Sequence, residues 1–115
     1  MIKRSGPYEG VLHEVVENAG VLYLAGVVTE DTSLDMTGQM KDIARQIDQL
    51  LEANCSHRDK ILSVMIYTTA FDEKPAMNQV WREWLSPAHL PARATIGVAE
   101  LGKGVLLEVV VTAAR

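Results

Sequence analysis

The sequence predicts an α+β or α/β fold with two helices, and three observations carry that reading. Two segments repeat their apolar residues with the helical period. Two others are β-branched and apolar on nearly every residue. Turn-forming residues separate these segments in the order β-β-α-β-α-β-β.

Residues 11–16 read as the first strand, Asn18-Ala19-Gly20 as a turn, and residues 21–25 as a second strand paired with the first. Gly26 ends that strand, and its missing Cβ permits a bulge or a close approach of a ligand to the backbone. The loop from Glu30 to Asp35 ends in capping residues. Met36, Met40, Ile43, Ile47, Leu50 and Leu51 then recur at helical spacing, with Lys41, Asp42, Arg45, Asp48 and Glu52 on the other face. This predicts a long amphipathic helix ending near Asn54. Residues 61–69 read as a central strand covered on both faces. Asp72 reads as an N-cap, with Pro75 in the first turn of a second helix that carries Met77, Val80, Trp81, Trp84 and Leu85. Ser86-Pro87 stops it. Residues 92–98 alternate: Ala92, Ala94, Ile96 and Val98 share the face assigned to the helices, and Arg93, Thr95 and Gly97 the opposite one. Leu101-Gly102-Lys103-Gly104 is a turn, and residues 105–113 form the last strand, in a hairpin with the Arg93 strand.

Composition excludes several classes of function. The length of 115 residues predicts one domain, and 48% hydrophobic with 23% charged residues is an ordinary globular balance. A net charge of −4 without a Lys/Arg run argues against a nucleic-acid partner, and so against a ribonuclease. Cys55 is the only cysteine, which excludes an internal disulfide and a Cys-based zinc site. His13, His57 and His89 show no ligand spacing, so no metal or other cofactor is expected. The apolar run near the C-terminus is interrupted by Glu108 and is too short to span a bilayer, and the first seven residues hold no apolar signal segment. These features predict a soluble, cytoplasmic protein without a membrane partner.

Crossovers of one hand should place both helices on the same sheet face. At least two strands are nevertheless apolar on both faces, so the uncovered face predicts a homo-oligomer whose sheets close against each other. Within this frame two charged residues stand out. Arg93 lies mid-strand beside the small Thr95 and Gly97, which leave space next to a guanidinium suited to gripping a carboxylate. The same pattern also fits a structural ion pair. Glu108 interrupts a run that should be buried, where a carboxylate needs a partner. Arg93 is the available one, either in a purely structural pair or beside a water that Glu108 orients. Trp81 and Trp84 read as core or interface residues, and Cys55 as a non-redox cysteine.

The segment Met77-Asn78-x-x-Trp81-x-x-Trp84, followed by His89-x-Pro91-Ala92-Arg93-Ala94-Thr95, resembles the signature region of the reactive-intermediate deaminase (Rid) family, also called YjgF-like or L-PSP endoribonuclease-like. The strand ending at Gly26, the helix containing Gln39, the strand leading to Asp72 and the Glu108 strand fall in matching order, so the resemblance covers nearly the whole chain. The Pro-x-Arg segment with a glutamate fifteen residues after the arginine is its most specific part. The resemblance implies a chorismate-mutase-like α+β fold, a mixed sheet with two helices on one face, and a homotrimer with pockets between subunits. It implies hydrolysis of 2-imino and enamine acids to 2-keto acids and ammonia. By the same resemblance, Arg93 binds the substrate carboxylate and Glu108 helps hold the attacking water, while Gly26, Asn78, Ala94 and Thr95 line the substrate site.

Four departures bear on substrate choice. Thr95 stands where the family commonly has cysteine, and Ala25 where it has serine before the glycine. The loop before Arg93 is shorter. Gly6-Pro7-Tyr8 looks like the family's N-terminal Gly-Pro-Tyr but lies further from Gly26, so that by spacing Leu12 or His13 takes the tyrosine's place. The alternative reading is a non-catalytic module that binds a small carboxylate on the same trimeric fold.

Overall fold

The computed structural model describes all 115 residues. It contains β1 (Lys3–Tyr8), β2 (Leu12–Asn18), β3 (Val21–Leu24), α1 (Met36–Ala53), β4 (Ile61–Thr68), α2 (Lys74–Trp84), β5 (Ala92–Gly97) and β6 (Leu107–Ala114). The fold is α+β, with one more strand than the sequence pattern suggests. That strand, β1, is Lys-Arg-Ser-Gly-Pro-Tyr, exposed along almost its whole length, so it carries no apolar alternation to reveal it. It exists because Glu9 and Gly10, both at positive φ, reverse the chain and pair β1 with β2 from Tyr8↔Leu12 to Lys3↔Glu17.

The six strands form a mixed sheet in the order β1-β2-β3-β6-β4-β5, antiparallel throughout except for the parallel β4–β5 pair. Each helix is a crossover: α1 carries the chain from β3 past the β6 position to β4, and α2 from β4 to β5. Both crossovers run in the same direction across the sheet, so a common hand puts both helices on one face. On that face lie Leu22 and Leu24 of β3, Val64, Ile66 and Thr68 of β4, and Leu107, Val109, Val111 and Ala113 of β6. All are buried against Met40, Ile43, Ile47 and Leu51 of α1 and Met77, Val80 and Trp84 of α2.

Local chemistry sets the helix ends. Asp35 caps α1 by accepting from the Gly38 amide at 2.9 Å. In α2 the structure corrects the sequence reading. Asp72 sits inside a 3₁₀ turn (Phe71–Glu73) and caps nothing; Glu73 occupies the N-cap position without a side-chain bond. Pro75 does lie in the first turn, where its missing N–H costs no hydrogen bond. Inside the core, the fully buried Gln39 has all its polar needs met. Its amide donates to the carbonyls of Leu34 (3.0 Å) and Gly104 (2.8 Å), and its oxygen accepts from the Leu106 amide (3.0 Å). This side chain ties α1 to the loop that leads into β6.

The other sheet face has no helix. Leu62, Tyr23 and Ile96 are 50%, 49% and 41% exposed there, beside the half-buried Met65, Tyr67 and Val110. This is the uncovered apolar face that the sequence predicts. No helix is long and apolar enough to cross a membrane.

Candidate functional site

Arg93 is positioned by β5. Its register neighbours are Val64 for Arg93, Ile66 for Thr95 and Thr68 for Gly97. Since Val64, Ile66 and Thr68 are buried beneath the helices, Arg93, Thr95 and Gly97 share the helix side. This reverses the faces read from the sequence: Ala92, Ala94 and Ile96 point to the open side. Alternation sorts a strand into two sets but does not say which set faces the core. At the sheet edge the helix leaves room for an arginine, while the open face is apolar as well.

The half-buried guanidinium lies over the Trp81 ring, 4.9 Å from its centroid, and donates to Asn78 Oδ1 at 2.8 Å. Both partners are neutral. Burial, and then repulsion from Arg82, lower the proton affinity of Arg93, and no carboxylate offsets them. Two positions along the same face, the Thr95 hydroxyl is buried with no hydrogen-bond partner. A polar group left so is uncommon in a folded chain.

Glu108 is not the partner of Arg93. The two strands are not neighbours, because β4 lies between β5 and β6. Glu108 pairs in register with Tyr67 and faces the open side, whereas Arg93 faces the helices. Their Cα atoms stand roughly 14 Å apart by strand spacing and rise. The expected hairpin is absent because the last strand inserts between β3 and β4 rather than folding back on β5.

Glu108 instead meets Gly26. A Cβ on Gly26 would overlap the Glu108 carboxylate, with Cδ at 2.8 Å and Cγ at 3.0 Å. The close approach inferred at Gly26 is therefore made by a side chain of the same chain. Beside Gly26 opens a hollow of about 310 Å³ that Tyr8, Glu14 and Ala25 also line. The β1–β2 hairpin brings Tyr8 there, whereas Leu12 and His13, to which spacing assigns the family tyrosine's place, do not line the hollow. The loop after Gly26 is held to α1 by Asp42. Its carboxylate accepts from the Glu30 amide (2.8 Å), Arg45 (2.6 Å), Gln46 (3.0 Å) and the Thr29 hydroxyl (3.2 Å).

This hollow does not connect Arg93 with Glu108. A second, of about 380 Å³, lies between the helices, lined by Ala44, Asp48, Val80 and Trp84 among others, and neither is lined by Arg93. The space expected beside the guanidinium is occupied from above by Trp81 and Asn78. Trp81 therefore does more than fill the core; its i,i+3 spacing from Asn78 is the signal that joins the two. His57 and His89 flank Asp59 at 3.6 and 3.8 Å, outside this region. Cys55, exposed at a helix end, lies beside the Arg115 side chain.

Residues 2–115 match the family model described as Endoribonuclease L-PSP. The chain belongs to the YjgF/Rid family. A RutC family protein of Haemophilus ducreyi is 32% identical over 101 residues, 88% of this chain and 86% of the relative. A 2-iminobutanoate/2-iminopropanoate deaminase of Dermatophagoides farinae is 31% identical over 110 residues, 90% of this chain and 82% of the relative. Among solved structures, a protein of Pseudomonas aeruginosa superposes with a TM-score of 0.94 at 30% identity, covering 100% of this chain and 99% of the other. A YjgF-family protein of Neisseria meningitidis also gives 0.94, at 27% identity, with 100% and 95% covered. The mixed six-stranded sheet with two helices is thus shared across YjgF/Rid structures.

Proposed function

We propose that this YjgF/Rid protein hydrolyses small reactive 2-imino and enamine acids to 2-keto acids and ammonia, in a pocket completed between copies of a chorismate-mutase-like homotrimer. The observation that carries the reading is the half-buried Arg93 guanidinium held by neutral partners alone. Such a cation is a seat for a carboxylate, worth of order 1.5–3 kcal/mol through charge-assisted hydrogen bonds. The relative named 2-iminobutanoate/2-iminopropanoate deaminase supports the substrate class.

The opposed faces of Arg93 and Glu108 bear on the assembly. One chain alone cannot bring both to one small molecule, so the pocket pairs Arg93 of one protomer with Glu108 of the partner subunit. The uncovered apolar face supports self-association of this kind. With the substrate carboxylate on Arg93, Glu108 accepts a proton from water as its oxygen bonds to the iminium carbon. Glu108 passes that proton to the carbinolamine nitrogen and then takes the hydroxyl proton as the C–N bond breaks, so that ammonia leaves a 2-keto acid and picks up the second proton. The iminium carbon is already electrophilic, so orientation and proton transfer supply the needed acceleration.

An assay coupling an amino-acid oxidase to keto-acid detection tests this. Arg93→Ala should abolish the acceleration of imine hydrolysis while leaving the mass in solution unchanged; full activity in that variant would overturn the carboxylate seat. The separation of Arg93 from Glu108 within the chain favours a second reading, a module that binds a small carboxylate without turnover. Tight carboxylate binding with no keto-acid release would select it.

A further inference from the structure

We propose that Arg82 recognises a second carboxylate, so that the site favours imines of dicarboxylic amino acids over those of monocarboxylic ones. The inference deepens the reading of Arg93 as a carboxylate seat and rests on it.

Asn78 and Arg82 are four residues apart on α2 and lie on one stripe of that helix. Asn78 is the residue that holds Arg93, so Arg82 stands about one turn, about 6 Å, along the helix axis from Asn78. That spacing is comparable to the span between the two carboxylates of the imines of aspartate and glutamate. Trp81, the buried ring against Arg93, is adjacent to Arg82 in sequence.

The charge pattern along this edge points the same way. Lys74, Arg82 and Arg93 all lie on α2 or the strand beneath it, and none takes part in any ion pair of the chain. Lys74 rests over the Phe71 ring at 5.3 Å and Arg93 over Trp81. Arg82 alone is exposed and has neither a ring nor a hydrogen-bond partner. Elsewhere Arg45, Arg58 and Arg115 each hold a carboxylate. Asp72, Glu73 and Glu83 lie on or beside α2 as well, but none of them forms an ion pair with Arg82. After burial, repulsion from Arg82 is what lowers the proton affinity of Arg93, so an anion bridging the two relieves both.

The test compares kcat/KM for imines generated from aspartate and glutamate with that for the imine of 2-aminobutyrate, in the wild type, Arg82→Gln and Arg82→Glu. The wild type should favour the dicarboxylic imines. Arg82→Gln should lower the dicarboxylic-to-monocarboxylic ratio about fivefold, the scale of one exposed charge pair. Arg82→Glu should lower it further. An unchanged ratio in both variants overturns the proposal. Calorimetric binding of 2-oxoglutarate against 2-oxobutanoate separates it from the reading it rests on. A preference for 2-oxoglutarate that disappears in Arg82→Gln, with no imine turned over by the wild type, upholds the second seat and sinks the deaminase. Imine hydrolysis with no preference for either acid does the reverse.

Discussion

Glu108 lays its carboxylate so closely against the backbone of Gly26 that no Cβ fits between them. Gly26 has no positive φ, so the requirement for glycine here is steric rather than conformational. The atoms in the way are the far end of a flexible side chain, which can move at modest cost.

Gly26→Ala should therefore leave the melting temperature close to wild type and displace the Glu108 carboxylate. If that carboxylate positions water, kcat for imine hydrolysis falls about 100-fold, the usual penalty for a misplacement near 1 Å. Thermal unfolding beside steady-state kinetics checks both halves. Wild-type kcat in a well-folded variant would remove Glu108 from the chemistry.

Asn78→Asp tests whether the charge on Arg93 is free. The change is nearly isosteric, and it places a carboxylate on the atom that now accepts from the guanidinium at 2.8 Å. An internal ion pair then competes with the substrate. The variant should bind carboxylates about 10- to 100-fold more weakly, on the scale of a charge-assisted contact. Asn78→Ala, which removes a neutral partner only, should lose less. Titration of both variants with a 2-keto acid decides it; equal losses would mean that Asn78 merely props the arginine.

Asp42 should contribute an acid-sensitive part of the stability. Burial alone would raise its pKa, but hydrogen bonds from Arg45, Glu30, Gln46 and Thr29 outweigh it and hold the carboxyl at about 2, against an ordinary 3.8. The folded value lies below the unfolded one. Its stabilisation is thus complete above the unfolded value and is lost as pH falls from about 4 towards 2. Asp42→Asn should cost about 1 kcal/mol at neutral pH, since the half-exposed Arg45 is screened by solvent, with the difference from wild type shrinking through that window. Urea unfolding at a series of pH values measures it; a difference independent of pH would assign the loss to packing instead. Because Asp42 holds the loop after Gly26, the same variant reports on how firmly that side of the site is anchored.

Much of the molecule was legible from residue order alone. Both helices announce themselves through spaced apolar residues, and β4 and β6 through runs that are β-branched or apolar at most positions. The inference of an exposed apolar sheet face came from strands apolar on both faces and from crossovers of one hand that put both helices on a single face. β1 was not legible, since an exposed edge strand containing proline and glycine has no hydrophobic periodicity; its pairing comes from a turn at Glu9-Gly10. Arg82 drew no notice because a lone surface arginine means nothing until Asn78, one turn away, is seen holding Arg93.

The sequence by itself determined both helices and the strands β2 to β6, and that Gly26, Arg93 and Glu108 are the conspicuous residues, because those features depend on local periodicity and chemical type. Only the tertiary structure decided that β6 lies between β3 and β4, and hence that Arg93 and Glu108 occupy opposite faces. Side-chain alternation orders residues within one strand, whereas neighbours and faces follow from how two helices of one hand cover a sheet whose pairings span distant parts of the chain.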